Sequence, residues 1–254
     1  NVPPDMQDRA RKEAQGYYAH CTALDRCIGD LLRTLDEAGI AGNTIFLFTS
    51  DHGEMLGAHG VPPMTKQVAW SEAAQVPFLL RYPATLGTQR RVIDTPLTTP
   101  DILPTLLGLA GVSPPRTVEG EDLSPLLRAG REAEDRAALY MGVAPFVSRN
   151  LAREYRAIRT SRYTYVRNLD GPWMLFDDVN DPYQLDNLVG QPAHAALVRD
   201  LDARLQAELK RIGDDFRPGA SYIAEWGYEV APHGSVPYGP TNSSPQTPRR
   251  KRDR

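Results

Sequence analysis

The run Thr44-Ile-Phe-Leu-Phe-Thr-Ser50 constrains this chain more than any other stretch. Its apolar residues follow one another almost without alternation, as in a parallel strand covered on both faces. Before it, Tyr17, Cys21, Leu24, Ile28, Leu31 and Leu35 recur at spacings of three and four, which predicts a helix over 5–38 with one apolar stripe. Pro3, Pro4 and Asp5 suit its start, and Gly39 suits its stop. A helix followed by a buried strand is half of a βαβ unit, so this region is expected to belong to a layered α/β sheet. Cys21 and Cys27 lie six residues apart on that helix. Their Cα atoms are then roughly 9 Å apart, too far for a disulfide, and both are expected to be buried thiols.

Segment 51–75 has no clear periodicity and is rich in Gly, His and Pro. It reads as a long functional loop, with a short helix around 67–75. Val76–Tyr82 is a second strand candidate. Residues 101–110 form a short apolar helix closed by Gly111. The texture changes after about residue 130. Residues 137–143, 155–160, 163–167 and 173–176 are short and partly alternating, as in an antiparallel meander. Leu197, Leu201, Leu205 and Leu209 then mark a helix over 193–212.

The expected architecture is therefore α/β: part of a doubly wound, mostly parallel sheet over 1–130. A small α+β subdomain with an antiparallel sheet and one packed helix follows over 131–232. A disordered Pro- and Ser-rich tail with a basic end fills 233–254.

The last six residues hold five basic side chains and one acidic one, so the body is more acidic than the whole-chain charge of −3 implies. Such a body is a poor nucleic-acid binder. No apolar run approaches the roughly 18 residues of a membrane span.

Chemistry concentrates where the first strand ends, at Asp51-His52-Gly53-Glu54. Ligands of open α/β sheets bind outside the carboxyl ends of the strands. A carboxylate and an imidazole there suit a divalent cation, and Gly53 lets the backbone turn so that both face one cavity. The tripeptide also has a plainer reading, with Asp51 capping the next turn and His52 packing. Lysine occurs only at positions 12, 66, 210 and 251 of this Arg-rich chain, which singles out Lys66 in the same loop.

The longer pattern is more specific. Asp51-His-Gly-Glu54, Met55-Leu-Gly-Ala-His59-Gly, Lys66-Gln-Val-Ala-Trp70-Ser-Glu72 and Val76-Pro-Phe-Leu-Leu-Arg-Tyr-Pro83 closely resemble the sulfatase family of the alkaline-phosphatase-like superfamily. Gly120–Leu127 and Asp181-Pro-Tyr-Gln-Leu-Asp-Asn-Leu188 resemble later signatures of that family. The resemblance covers roughly 7–230.

It implies that Asp51 and His52 are two ligands of the active-site cation, and that Lys66 pairs with sulfate oxygens. His59 either faces the substrate or supports the loop. It also implies a divalent cation, with calcium favoured and manganese or zinc admitted by His52. The substrate is expected to be a small-molecule or carbohydrate sulfate ester. A phosphate or phosphonate ester hydrolase of the same superfamily, or a non-catalytic remnant, are the alternatives.

The family's nucleophile is a formylglycine made within a Cys/Ser-x-Pro/Ala-x-Arg motif, which neither Cys21 nor Cys27 begins. Its first pair of metal-binding aspartates has no counterpart either. The chain is thus expected to be the C-terminal part of a longer enzyme, catalytically silent by itself, with the formylglycine upstream. Asp51 to Lys66 is also somewhat longer than the family's usual interval, with Pro62-Pro63 inside it.

Overall fold

The computed structural model describes residues 1–143, 153–231 and 236. The tail expected over 233–254 falls outside them, position 236 apart. Helix α1 (Gln7–Glu37) follows a 3-10 turn at Pro4–Met6. It stops as its glycine suggests: Ala38 caps it and Gly39 takes φ 69°, a conformation that favours a residue without Cβ.

Strand β1 (Phe46–Thr49) pairs with β2 (Phe78–Arg81), Phe46 opposite Arg81 and Thr49 opposite Phe78. The architecture is α/β as expected, but this pair departs locally from the expected parallel, fully covered strand. Among the described residues β1 has β2 as its partner, running antiparallel, and all four of its residues are only half-buried. The stripe of α1 is correspondingly open. Tyr17, Leu24 and Leu31 are 43%, 51% and 58% exposed, and Ala10 is the helix's one buried residue. Cys21 and Cys27 are exposed free thiols, not buried ones, because no described element lies over this face of the helix.

Between and after these strands come α2 (Ser71–Ala74), α3 (Pro83–Leu86), α4 (Thr99–Leu109) and α5 (Ser124–Ala129). Asp101 anchors the start of α4. Its Oδ2 accepts from Thr98 N at 2.9 Å and pairs with Arg136 at 2.6 Å, and its Oδ1 accepts from Glu121 N at 2.9 Å.

A four-stranded antiparallel sheet follows, β3 (Ala138–Gly142), β4 (Tyr155–Arg159), β5 (Tyr163–Asn168) and β6 (Gly171–Asp177), paired in chain order. Its side chains alternate between two cores. Ile158, Tyr165 and Leu175 meet Leu201, Leu205 and Leu209 of α6 (Ala195–Ile212) on one face. Tyr155, Ala157, Val166, Met174 and Phe176 point to the other, where Ala69 and Trp70 cover them. Each buried side chain of this size contributes about 1.5–3 kcal/mol, so the two faces are what hold the sheet. Beyond α6, α7 (Gly219–Trp226) brings Tyr222 to the buried guanidinium of Arg156, which is ion-paired to Asp214 and stacked on Phe216. No helix among the described residues is long and apolar enough to cross a membrane.

Candidate active site

Segment 51–75, read as a long irregular loop, closes on a core of its own. Met55, Val61, Val68 and Ala73 are buried together, with Ala58 and Trp70 packed against them. The carboxylate of Glu54 ties its base, accepting from Leu56 N at 3.3 Å and from Thr65 N at 3.1 Å, while Met55 N donates to Thr65 O. The turn is tight enough to drive Leu56, His59 and Met64 to φ of 48°, 55° and 68°, which side chains with a Cβ rarely adopt.

At the mouth of this loop, just past β1, the structure brings Asp51 and His52 together. Ser50 Oγ donates to His52 O at 2.9 Å, and Asp51 Oδ1 accepts from His52 N at 2.9 Å. That backbone hydrogen bond, more than any other influence, holds the Asp51 carboxyl below its ordinary pKa, so it stands ionised and open to solvent. His52 Nδ1 lies 2.8 Å from Gly53 O. A carbonyl can only accept, so Nδ1 carries a proton, and in the neutral ring the lone pair lies on Nε2. Nε2 faces Asp51 Oδ2 at 3.4 Å.

An imidazole nitrogen and a carboxylate oxygen held face to face can share either a proton or a metal cation. The gap lets one cation touch both at ordinary coordination distances of about 2.0–2.6 Å. A ring nitrogen pinned to a backbone carbonyl while its partner stays free is also how metal-binding histidines are oriented. The donor set fits a divalent ion. It is incomplete by itself, since no group of three or more His, Cys, Asp or Glu able to hold a metal occurs among the described residues.

Gly53 is obligatory for this corner. Its N donates to Ala73 O at 2.8 Å, and a Cβ at its position would lie 1.9 Å from Glu72 O.

The other two expected site residues sit differently. Lys66 follows the pinned Thr65 and is exposed, its ammonium free of any described hydrogen bond or ion pair. The His59 side chain is only 9% exposed, stacked on Trp70 with ring centroids 4.9 Å apart and meeting Glu72 Oε1 at 3.3 Å. It faces the inside of the loop rather than open solvent. A large cleft borders the site, with Asp51 at its rim and Arg81, Arg90, Arg91 and Arg159 along its walls. Gln184, Ser71 and Tyr140, which tie this loop to the four-stranded sheet, were not singled out from sequence. Gln184 did sit within a recognised stretch, but nothing in that stretch says what its amide touches.

Comparison with known proteins now decides the family. A model described as N-sulphoglucosamine sulphohydrolase, C-terminal, matches residues 57–211. An ulvan-active sulfatase of Formosa agariphila is 47% identical over 239 residues, covering 94% of this chain and 47% of the relative. The chain belongs to the sulfatase family. A solved structure of a putative sulfatase from Bacteroides fragilis shares 31% identity at a TM-score of 0.74, over 88% of this chain and 47% of that one. A second, solved with D-glucosamine-2-N,6-O-disulfate as its substrate, is 28% identical at a TM-score of 0.65, over 77% and 40%.

The alkaline-phosphatase-like fold expected from the sequence is thus shown. The chain spans about half the length of the curated relatives it matches. Membership of this family implies a divalent cation and a formylglycine nucleophile in general terms. The span matched by the family model begins after Asp51 and His52.

Proposed function

We propose that this chain supplies one wall of the active site of a metal-dependent sulfuric ester hydrolase acting on a sulfated carbohydrate. The observation that carries the reading is the His52 ring, pinned through Nδ1 to Gly53 O so that Nε2 and Asp51 Oδ2 face one another 3.4 Å apart. Asp51 and His52 hold the cation. When bound, the cation draws charge from the sulfate oxygens and so stabilises the transition state. Calcium is the cation the family favours; manganese and zinc are the alternatives that an imidazole ligand admits, and manganese serves as the paramagnetic probe.

Lys66 presents a compact ammonium, without a partner among the described residues, to the sulfate oxygens, a role for which a point charge is suited. His59 keeps the loop in shape through Trp70 and Glu72 and touches the ester only if the loop opens. Two protein ligands are too few for a tight site. The remaining ligands and the nucleophile are assigned to polypeptide outside this chain, which covers about half of its curated relatives.

Manganese titration of the 254-residue chain, followed by NMR, tests the assignment. Mn²⁺ is expected to broaden the His52 ring resonances selectively, and Asp51→Asn is expected to weaken that binding at least about tenfold. Uniform or absent broadening at His52 removes both residues from the cation site. Supplied with the rest of a sulfatase, the chain is expected to support faster turnover of aryl sulfates than of phosphonate monoesters. The reverse order would move the reading to phosphorus chemistry.

A further inference from the structure

The loop bearing Asp51 and His52 is gripped from the four-stranded sheet, and the grip centres on one side chain. Gln184, in the turn after β6, is 2% exposed and holds φ 53°, an unfavourable backbone for a residue with a Cβ. Its Oε1 accepts from Ser71 N at 2.8 Å while its Nε2 donates to Asp178 Oδ1 at 2.7 Å. Only a group carrying both an acceptor and a donor can bridge a backbone N–H and a buried carboxylate in this way.

The neighbouring bonds reinforce it. Asp178 Oδ2 accepts from Thr164 Oγ1 at 2.6 Å, and Arg159 Nη1 donates to Ser71 Oγ at 2.8 Å. Tyr140 Oη donates to Ala69 O at 2.9 Å. Residues 69–71 are therefore held by a strand-edge tyrosine, a strand arginine and the Gln184 amide.

The next two residues pass the grip on. Ala73 O accepts from Gly53 N at 2.8 Å, Glu72 meets His59, and Gly53 lies hard against Glu72 O. The carbonyl of Gly53 is the one that pins His52 Nδ1. From Gln184 to the imidazole the path is thus short and continuous: amide to Ser71, one turn of backbone, Gly53, ring.

We propose that Gln184 is a positioning residue that, through Ser71 and the 69–73 segment, fixes Gly53 and so the orientation of the His52 ring beside Asp51. The inference rests on the reading of Asp51 and His52 as cation ligands, but the mechanical link can be measured without metal.

Amide hydrogen exchange by NMR on the whole chain is the test, comparing wild type with Gln184→Met, which keeps the volume and removes both hydrogen bonds. The Gly53 amide is expected to exchange at least about tenfold faster, while the amides pairing β4 with β5 keep their wild-type rates. An unchanged Gly53 rate overturns the proposal. Equal acceleration at Gly53 and in the sheet overturns it too, because Gln184 is then an ordinary stabilising residue.

If the methionine variant does not fold, Gln184→Asn decides. One methylene shorter, the amide cannot reach both partners, and Gly53 must still exchange faster than in wild type. Mn²⁺ broadening at His52 separates the two readings. With the link intact, Gln184→Met is expected to weaken Mn²⁺ binding several-fold relative to wild type. Absence of His52 broadening in the wild type itself refutes the cation assignment while the exchange result stands on its own.

Discussion

The β1–β2 pair and the four-stranded sheet are made of comparably apolar strands, yet they end in opposite states. In β4 and β5 most side chains are buried, one face against α6 and the other against Ala69 and Trp70. In β1 none is fully buried, β2 leaves Leu79 63% exposed, and the long helix beside them turns Leu24 and Leu31 to solvent. Exposed apolar surface on this scale marks a face that takes a partner. The difference teaches that an apolar run states only that a strand is to be covered. Whether the cover is present depends on the rest of the chain.

The largest expected effect tests that contrast directly. Leu205 is fully buried between α6 and the sheet, and Leu205→Ala is expected to cost about 2–5 kcal/mol of unfolding free energy. Leu31→Ala, made on the 58% exposed stripe of α1, is expected to cost no more than about 0.5 kcal/mol. Urea denaturation of both variants measures the difference. Equal losses would show that α1 is covered in solution and erase the contrast.

A smaller effect is expected at the junction of the two regions. Gly53→Ala must push its methyl into Glu72 O, which the bare Cβ would approach to 1.9 Å. Overpacking of this kind costs about 1–3 kcal/mol, and the backbone shift should loosen the His52 ring as well. The comparison sharpens if Gly53→Ala weakens Mn²⁺ binding while near-ultraviolet circular dichroism of the buried sheet aromatics stays unchanged. A loss of sheet signal would instead mean that the two regions fold as one.

These contrasts also mark how far the sequence could be read. Elements with their own periodicity were legible: the leucines of α6 at every fourth position, the meander, the long α1 and its glycine stop. Asp51 and His52 were legible as a pair because they are adjacent in sequence at the exit of a strand. Burial was not legible. Cys21 lies in an apolar stripe and Cys27 beside it, and nothing local tells such a stripe that its cover is missing.

The antiparallel register of β1 and β2 was hidden for a similar reason, since an unbroken apolar run fits any strand covered on both faces, whatever the direction of its neighbour. Gln184 was the hardest of all. Its role depends on Ser71, 113 positions away in sequence, and on a polar network that no periodicity encodes.

The smallest effect concerns the seam itself, where Tyr155 points from β4 into the core shared with Ala69 and Trp70. Burial raises its phenol to a pKa of about 12. The unfolded phenol titrates near 10, so the folded state favours the neutral form, and this contribution is complete below pH 10. As pH rises from 10 towards 12 the unfolded chain ionises first and stability falls, by about 1 kcal/mol at pH 11.

Tyr155 makes no described hydrogen bond through its hydroxyl, so Tyr155→Phe is expected to be nearly neutral at pH 7 and to flatten part of the alkaline loss. The buried Tyr140 and Tyr165 are shifted upward as well and keep the remainder. Stability measured from pH 7 to 11 in both proteins decides. If the phenylalanine variant loses stability as steeply as the parent, Tyr155 is solvated in solution. The second face of the sheet is then not sealed against the loop that carries Asp51 and His52.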